Sequence, residues 1–431
     1  MHGVDAVAVV AAVLLAYAAV EQRLQRMPIS GAMVFTAAGL LASAQVTGLI
    51  TSHEGHGATA FLELTLVIVL FTDAMAVNAA RWTTEVPLPG RLLGLGLPLT
   101  IAAGWALAMV MFPGIGTWGA ALLAAVLAPT DSALGLPVIT NQRVPRLIRH
   151  ALNVEGGLND GLALPFVTIF LALALEQEGA VGGGHVLAVL LRALVASGAI
   201  GAAVGGGGAL LLRWSMGRGW SGRHWRSVAL LAMAVLAFAL ADTIEGSGFI
   251  AAWVAGLVAG LTSDGKLAEA QQTPEEIANL GVSVSFMLFG ALFLAPALVQ
   301  VSWPEIGYAL LSLTVIRMVP VAISLLGSKL AAQTVVYVGW FGPRGLASIV
   351  FADLVATSGL PEQHLIVPVV MLTVGMSVVL HGVTAPWGAR RYGRWYAAAA
   401  TRNPGLREAS EAPQLTYRVR VSQGRQHDHE G

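Results

Sequence analysis

The chain has 431 residues, of which 56% are hydrophobic and only 11% are charged, and its mean hydropathy is +0.73. A soluble globular chain carries about 25% charged residues, so this composition indicates a helical protein that crosses a membrane many times. The formal net charge is zero, which gives no argument for nucleic-acid binding, and the chain has no cysteine for disulfides or thiolate metal sites.

Long apolar runs recur along the chain, and about 20 apolar residues suffice to cross a roughly 30 Å hydrocarbon core. The sequence therefore predicts an all-α polytopic membrane protein with 13 spans in residues 1–385 and a short cytoplasmic tail over 386–431. The first run has no basic residue before Arg23, whereas a signal peptide begins with a basic region, so we expect it to be retained. The predicted spans are 4–20, 29–50, 59–79, 90–112, 116–138, 149–176, 185–212, 226–242, 248–262, 278–300, 303–326, 333–357 and 364–385.

The distribution of lysine and arginine gives the expected orientation. All but three of the 24 basic residues lie in the tail, in loops after odd-numbered spans or within the first two residues of the span that follows such a loop, and the loops after even-numbered spans hold none. Because Lys and Arg collect in cytoplasmic loops, we expect the N-terminus outside and the C-terminus in the cytoplasm, in a prokaryotic plasma (inner) membrane. The three exceptions, Arg192, Arg317 and Arg344, fall inside predicted spans.

Two predicted spans contain helix breakers at mid-depth, Ala128–Ser132 in the fifth and Phe341–Gly345 in the twelfth. They lie seven spans apart, as expected if spans 1–6 and 8–13 are inverted repeats joined by span 7. Interrupted helices at matching positions of inverted halves indicate a transporter binding site; the alternative is that each proline only kinks its helix. Asp131 can neutralise a positive half-helix end, Arg344 can offset a negative one, and Thr130 offers oxygen ligands. Asp131 and Thr130 are also candidate residues for binding the cation or proton.

The sixth predicted span begins with polar residues on one helical face. Glu155 and Asn159 are four residues apart, as are Gly156 and Asp160, and residues at this spacing share a face. Acids inside a membrane span are costly and usually functional. Because burial disfavours the charged carboxylate, Asp160 can hold either a proton or a cation; the alternative is an acid that only pairs with a base in helix packing.

Two further polar residues have open roles. Asp73 in the third span is either an outer-shell ligand on the inward path or a polar group in the cytoplasmic funnel. His381 in the last span is either a pH sensor or a polar residue whose hydrogen bonds are satisfied within the protein.

Four motifs in order along the chain carry a family resemblance: Pro129–Asp131, Glu155–Asp160, Arg317–Pro320 and Gly339–Gly345. They resemble the cation/proton antiporter superfamily, specifically its sodium/proton exchanger (cation/proton antiporter-1) branch. The resemblance covers nearly all of residues 4–385 and leaves out the tail.

The resemblance implies a role for each site residue. Asp160 would bind the proton or the cation, Asn159 would organise the site, and Thr130 would contribute ligands. Glu155 and Arg317 would form a buried structural ion pair, and Arg344 would belong to the helix crossing. Many relatives have serine directly after the glutamate, where this chain has Gly156.

The resemblance also implies an overall mechanism. A core of spans 4–6 and 11–13 would move against a dimerisation part of spans 1–3 and 8–10 within a homodimer, by elevator-type alternating access. One amide beside one acid is similar to electroneutral members, which suggests one cation per proton. Sodium is expected first, with lithium or potassium as alternatives, and no cofactor is expected.

Two other classes of function stay open at this point. A cation channel would carry flux without proton coupling, and a non-transporting membrane pH sensor would carry no flux. No nucleophile and base can be placed in one cavity, so no enzyme is predicted. The expected partners are a monovalent cation, protons, membrane lipid and a second copy of the chain, without nucleic acid.

Overall fold

The computed structural model describes residues 2–24, 27–50, 55–76, 87–177, 179, 186–403 and 405–410. Within these residues the chain is helical, and one isolated bridge pairs Ser43 with Ile50. The predicted tail beyond residue 410 and the basic loop residues Arg26 and Arg81 lie outside the described residues.

Fifteen helices, numbered here in chain order, form the described fold. They are α1 (His2–Leu24), α2 (Gly31–Ala42), α3 (Gly55–Met75), α4 (Leu88–Met111), α5 (Thr117–Val126), α6 (Ser132–Ile139), α7 (Arg146–Gln177), α8 (Val186–Gly217), α9 (Arg223–Asp242), α10 (Gly248–Ser263), α11 (Ala268–Ala297), α12 (Trp303–Ser324), α13 (Ala332–Trp340), α14 (Leu346–Thr357) and α15 (Gln363–Arg402).

Nine of the described helices are long and apolar enough to cross a membrane, and α2, α5, α10 and α14 are shorter apolar helices. The fifth predicted span corresponds to the pair α5 and α6, and the twelfth to α13 and α14. Both pairs are separated by non-helical residues at 127–131 and 341–345. The total of 13 crossings and their inverted repeat remain predictions.

The last helix continues well past the predicted end of the thirteenth span. The prediction ended that span at residue 385, whereas α15 runs through Pro386 to Arg402 and is followed by a short turn at Arg407–Ala409. Hydropathy marks the end of an apolar run and does not mark the end of a helix. The run of alanines at 397–400 has high helix propensity and extends the helix beyond the apolar segment.

The helices pack in two groups. The first helix group comprises α2, α3, α9, α10 and α11, and the second helix group comprises α4 to α7 and α12 to α15. Helix α8 packs on α9 and α10 and also touches α7, while α1 lies against α2. Helix α3 contacts both α7 and α14, so the middle of α7 lies where the two groups meet.

Candidate functional site

The non-helical segment 127–131 between α5 and α6 is called the first interruption, and the segment 341–345 between α13 and α14 the second interruption. The two segments cross and touch through their backbones. Helix α5 ends at Val126 and α6 begins at Ser132, while α13 ends at Trp340 and α14 begins at Leu346. The Asp131 N–H in the first interruption donates to the Pro343 carbonyl in the second, at 2.7 Å. Four half-helix ends therefore converge on one small volume.

The carboxylate of Asp131 caps two helix N-termini at once. Its Oδ1 accepts from the N–H groups of Ala133 at 2.7 Å and Leu134 at 3.3 Å, at the start of α6. Its Oδ2 accepts from the Leu346 N–H at 3.0 Å, at the start of α14. Each helix N-terminus carries a partial positive charge, so one carboxylate offsets both. A Cβ at Gly345 would lie 1.8 Å from Asp131 Oδ2, so glycine at 345 permits this approach.

The C-terminal end of α5 carries a partial negative charge, and its carbonyls accept hydrogen bonds from side chains of the second interruption and of α14. The guanidinium of Arg344, which is fully buried, donates through Nη1 to the carbonyls of Ala128 at 2.7 Å and Pro129 at 2.9 Å. The Ser348 hydroxyl donates to the Val126 carbonyl at 2.7 Å. These bonds satisfy carbonyls that the interruption leaves without helical partners.

His381 lies at the C-terminal end of α13, which carries a partial negative charge. Its Nε2 is 2.9 Å from the Trp340 carbonyl, and its Nδ1 is 3.0 Å from the Ser377 carbonyl and 3.1 Å from the Ser377 hydroxyl. A carbonyl oxygen can only accept, so a ring nitrogen that bonds one of these carbonyls carries the proton. The Ser377 hydroxyl also accepts from the Arg344 N–H at 2.7 Å. Of the two readings of His381, this geometry matches the polar residue that is satisfied within the protein.

Helix α7 is tied to the first interruption through Asn159. The Asn159 Nδ2 group donates to Thr130 Oγ1 at 2.5 Å. The amide oxygen of Asn159 is buried and accepts no hydrogen bond from the part of the chain that the structure describes. Asp160, the next residue, is only 7% exposed. A buried oxygen without a donor and a neighbouring carboxylate are ligands suited to a hard cation.

Glu155, one turn before Asn159, forms an ion pair with Arg317 of α12. The distance from Arg317 Nη2 to Glu155 Oε1 is 2.5 Å, and each side chain is 3% exposed. A Cβ at Gly342 would lie 2.5 Å from Arg317 Nε. The guanidinium therefore runs along the second interruption and joins α7, α12 and the crossing.

Asp73 reaches α7 from the first helix group. A Cβ at Gly157 would lie 3.5 Å from the Asp73 Cβ. Because Gly157 and Asp160 are three residues apart and share a helix face, Asp73 lies one turn from Asp160. The structure thus brings Asp73, Thr130, Asn159 and Asp160 to the same stretch of α7.

Two side chains beside Asp160 were missed by the sequence analysis. A Cβ at Gly156 would lie 3.0 Å from the Ser132 Cβ, and one at Gly161 would lie 2.2 Å from the Trp253 ring of α10. The buried Trp253 Nε1 has no hydrogen-bond partner among the described residues. The available signal was the set of glycines around Asp160, because glycine on a packed helix often marks the close approach of another element.

The helix crossing contains oxygen ligands of several kinds and no preformed polyvalent metal cluster. Within the described ranges, no group of three or more His, Asp or Glu side chains is placed to hold a metal ion.

Comparisons with known proteins agree on one family. The family model described as "Sodium/hydrogen exchanger, transmembrane" matches residues 9–390. The chain is 26% identical over 370 residues to the K+/H+ antiporter NhaP of Alkalimonas amylolytica, a match that covers 84% of this chain and 62% of that protein. It is 23% identical over 374 residues to the K+/H+ antiporter NhaP2 of Shewanella sp. strain ANA-3, covering 85% and 63%. The chain thus spans slightly less than two thirds of these relatives.

Solved structures with the same fold include the sodium proton antiporter MjNhaP1 from Methanocaldococcus jannaschii at pH 8. The TM-score is 0.71 at 19% sequence identity, over 91% of this chain and all of that chain. An electron-microscopy map of MjNhaP1 matches with a TM-score of 0.67 at 17% identity, over 95% and 99%.

Proposed function

Because the chain belongs to the sodium/hydrogen exchanger family, we propose that it is a secondary antiporter that exchanges a monovalent cation for a proton. That family consists of transporters, and the chain is an all-α, multi-pass membrane protein with the fold of MjNhaP1. The observation that carries the proposal is the buried acid Asp160, which adjoins the Asn159–Thr130 hydrogen bond at the crossing of two interrupted helices.

Competition for the Asp160 carboxylate couples the two fluxes. The carboxylate holds a proton or a cation, and a cation that arrives from one side displaces the proton. An empty, charged carboxylate is costly to carry through a low-dielectric barrier, and either ligand neutralises it. The protein therefore changes its access only when loaded, which gives exchange.

The cation ligands come from α7 and the first interruption. Asp160 supplies the carboxylate, Asn159 supplies its amide oxygen, and Thr130 supplies an oxygen next to the helix break. Asp73 lies one turn away and acts in the outer shell through water. Oxygen ligands of this kind suit hard cations.

The other buried charges at the crossing support electroneutral exchange of one cation for one proton. Asp131 accepts bonds from two helix N-termini, and Glu155 is paired with Arg317. These two acids are committed to structure, so Asp160 is left as the acid that loads and unloads. Sodium is the first candidate, and potassium is the second because the relatives are named K+/H+ antiporters.

The two helix groups suggest which parts move. The second helix group carries the crossing and moves as a core against the first helix group, which forms the dimer contact. Span 7, described here as α8, links the two. The N-terminus faces outside, and the C-terminus faces the cytoplasm of a prokaryotic cell.

The test is proton movement in proteoliposomes on addition of Na+, Li+ or K+, with the membrane potential clamped and unclamped. Wild-type protein is expected to show cation-evoked proton flux at a rate that does not depend on the membrane potential. Asp160→Asn keeps the shape of the side chain and removes its charge, so this variant is expected to lose at least about 100-fold in rate, equal to about 2.8 kcal/mol.

Asp353→Asn is a matched control, because Asp353 is also 7% exposed and lies on α14, where Thr59 donates a hydrogen bond to it. This variant is expected to keep cation-evoked proton flux. Cation flux without proton movement would favour a channel instead, and full activity in Asp160→Asn would remove Asp160 from the mechanism.

A further inference from the structure

Gly156 of α7 has no side chain, and a residue from α6 fills the space that a side chain would occupy. A Cβ at Gly156 would lie 3.0 Å from the Cβ of Ser132, 3.2 Å from its Cα and 3.3 Å from its N. Contacts this close mean that Ser132 occupies the volume of the side chain that residue 156 does not have.

Ser132 belongs to the crossing. It is the first residue of α6, follows Asp131 directly and is 7% exposed. Together with Thr130, Asp131, Gly156 and other residues it lines a cavity of ≈ 10 Å³. That is about the volume that the centre of a single water molecule needs, so the space beside Ser132 has room for one water or one small ion.

Gly156 lines this cavity, and Asp160, which is not among the lining residues, lies one turn beyond Gly156 on the same face of α7. Gly156 and Asp160 are four residues apart, and side chains at this spacing are about 5–6 Å apart on one face. That distance separates Cβ positions, and the Asp160 carboxylate extends beyond its Cβ; two oxygens that share one cation lie at most about 4.8 Å apart, since each bond is about 2.4 Å, the length seen around Ca2+, an ion the size of Na+. A hydroxyl beside Gly156 and the Asp160 carboxylate can therefore face one ion from two sides.

We propose that the Ser132 hydroxyl is a ligand of the transported cation, in place of the hydroxyl that α7 lacks at Gly156, and that this serine sets the cation preference. The inference rests on the proposed exchange at Asp160 and extends its ligand set. Smaller ions have stronger fields and depend more on close oxygen ligands, so the Ser132 ligand favours Li+ and Na+ over K+.

The test compares cation binding and transport in the purified full chain. Ser132→Ala removes the hydroxyl and keeps the Cβ that packs on Gly156. We expect the half-saturating Na+ and Li+ concentrations to rise about tenfold or more, the loss that follows removal of one polar partner of a charged group. K+ is expected to change less. Binding is measured separately, as thermal stabilisation by NaCl, LiCl or KCl relative to choline chloride.

A double variant places the hydroxyl on α7 instead of on α6. Ser132→Gly with Gly156→Ser removes the Cβ that would lie 3.0 Å from the new side chain, and it is expected to bring half-saturation back to within about threefold of wild type. Ser348→Ala is the matched control for a lost buried serine hydroxyl, since its bond goes to the Val126 carbonyl. It is expected to leave the half-saturating concentrations and the cation order unchanged.

The outcomes separate this inference from the exchange itself. Absence of cation-evoked proton flux in wild type would end the exchange proposal, and the binding measurements would still decide the role of Ser132. Unchanged half-saturation and unchanged cation order in Ser132→Ala would overturn the ligand role, even with a lower maximal rate. A change confined to maximal rate would match a packing role, as would equal shifts in Ser132→Ala and Ser348→Ala.

Discussion

A pair of buried, oppositely charged side chains joins α7 to α12. Arg317 and Glu155 lie 2.5 Å apart with 3% exposure each, in a place where neither charge can be solvated. The attraction within such a pair roughly repays its desolvation, whereas one partner alone leaves an uncompensated charge. This pair therefore holds α7 against α12 and keeps Asn159, one turn further on, in position.

We predict that Arg317→Met destabilises the protein by about 3–5 kcal/mol, because the charge of Glu155 stays buried without its partner. The double variant Glu155→Gln with Arg317→Met is expected to recover much of that loss. Thermal unfolding of the purified protein, followed by tryptophan fluorescence, measures both. Equal losses in the single and double variants would show that the two side chains act independently.

Helix α13 begins against the segment that follows α15. Glu408 is 1% exposed, and its Oε1 accepts from the Ala331 N–H at 2.8 Å and from the Thr334 hydroxyl at 2.5 Å. The Thr334 oxygen also lies 2.9 Å from the Tyr392 hydroxyl. An acid at a helix N-terminus satisfies free N–H groups and interacts with the helix dipole. The turn after α15 is therefore the N-terminal cap of α13.

We predict that Glu408→Ala loosens the first turn of α13. Loss of an N-terminal cap costs about 1–2 kcal/mol, which corresponds to amide exchange faster by about 5- to 30-fold at residues 331–335 if these amides exchange by local opening. Hydrogen–deuterium exchange with mass spectrometry measures this directly.

Glu305→Ala is the matched control for Glu408→Ala. Glu305 also caps a helix start, in a capping box with Ser302 at the beginning of α12. Its loss is expected to speed exchange near residues 302–306 and to leave α13 unchanged. Protection of α13 that survives Glu408→Ala would mean that packing alone holds this helix.

The two helix groups meet along α7 and also where α2 faces α15. A Cβ at Gly382 of α15 would lie 3.0 Å from Met33 Cγ of α2, a spacing compatible with a disulfide, whose Cβ atoms are about 3.5–4.5 Å apart. The chain has no cysteine, so no native thiol competes with an introduced pair.

We predict that Met33→Cys with Gly382→Cys blocks exchange after oxidation and that exchange returns after reduction, because the bond would tie the moving group to the other. Proteoliposome proton flux before and after reductant measures this. The control pair is Thr65→Cys with Gly281→Cys, where a Cβ at Gly281 lies 3.4 Å from Thr65 Cβ within the first helix group. Continued transport through an oxidised Met33–Gly382 bond would rule out relative motion at this contact.

Local features of the sequence were sufficient for the class of protein and for locating the candidate site along the chain. Composition indicated a helical membrane protein, and the breakers at 128–132 and 341–345 fall where α5 and α6, and α13 and α14, are separated. The polar face of α7 was visible because residues four apart share a face. These properties depend on neighbours in sequence, so no folded structure was needed to find them.

Contacts between distant parts of the chain could not be found in this way. The double cap by Asp131 joins α6 to α14, the Ser132 contact joins α6 to α7, and Trp253 of α10 covers Gly161. The cap on α13 comes from Glu408, in a region that hydropathy assigned to a polar tail. Each of these contacts depends on how helices cross in space, and hydropathy and spacing along one helix carry no information about the distance to another.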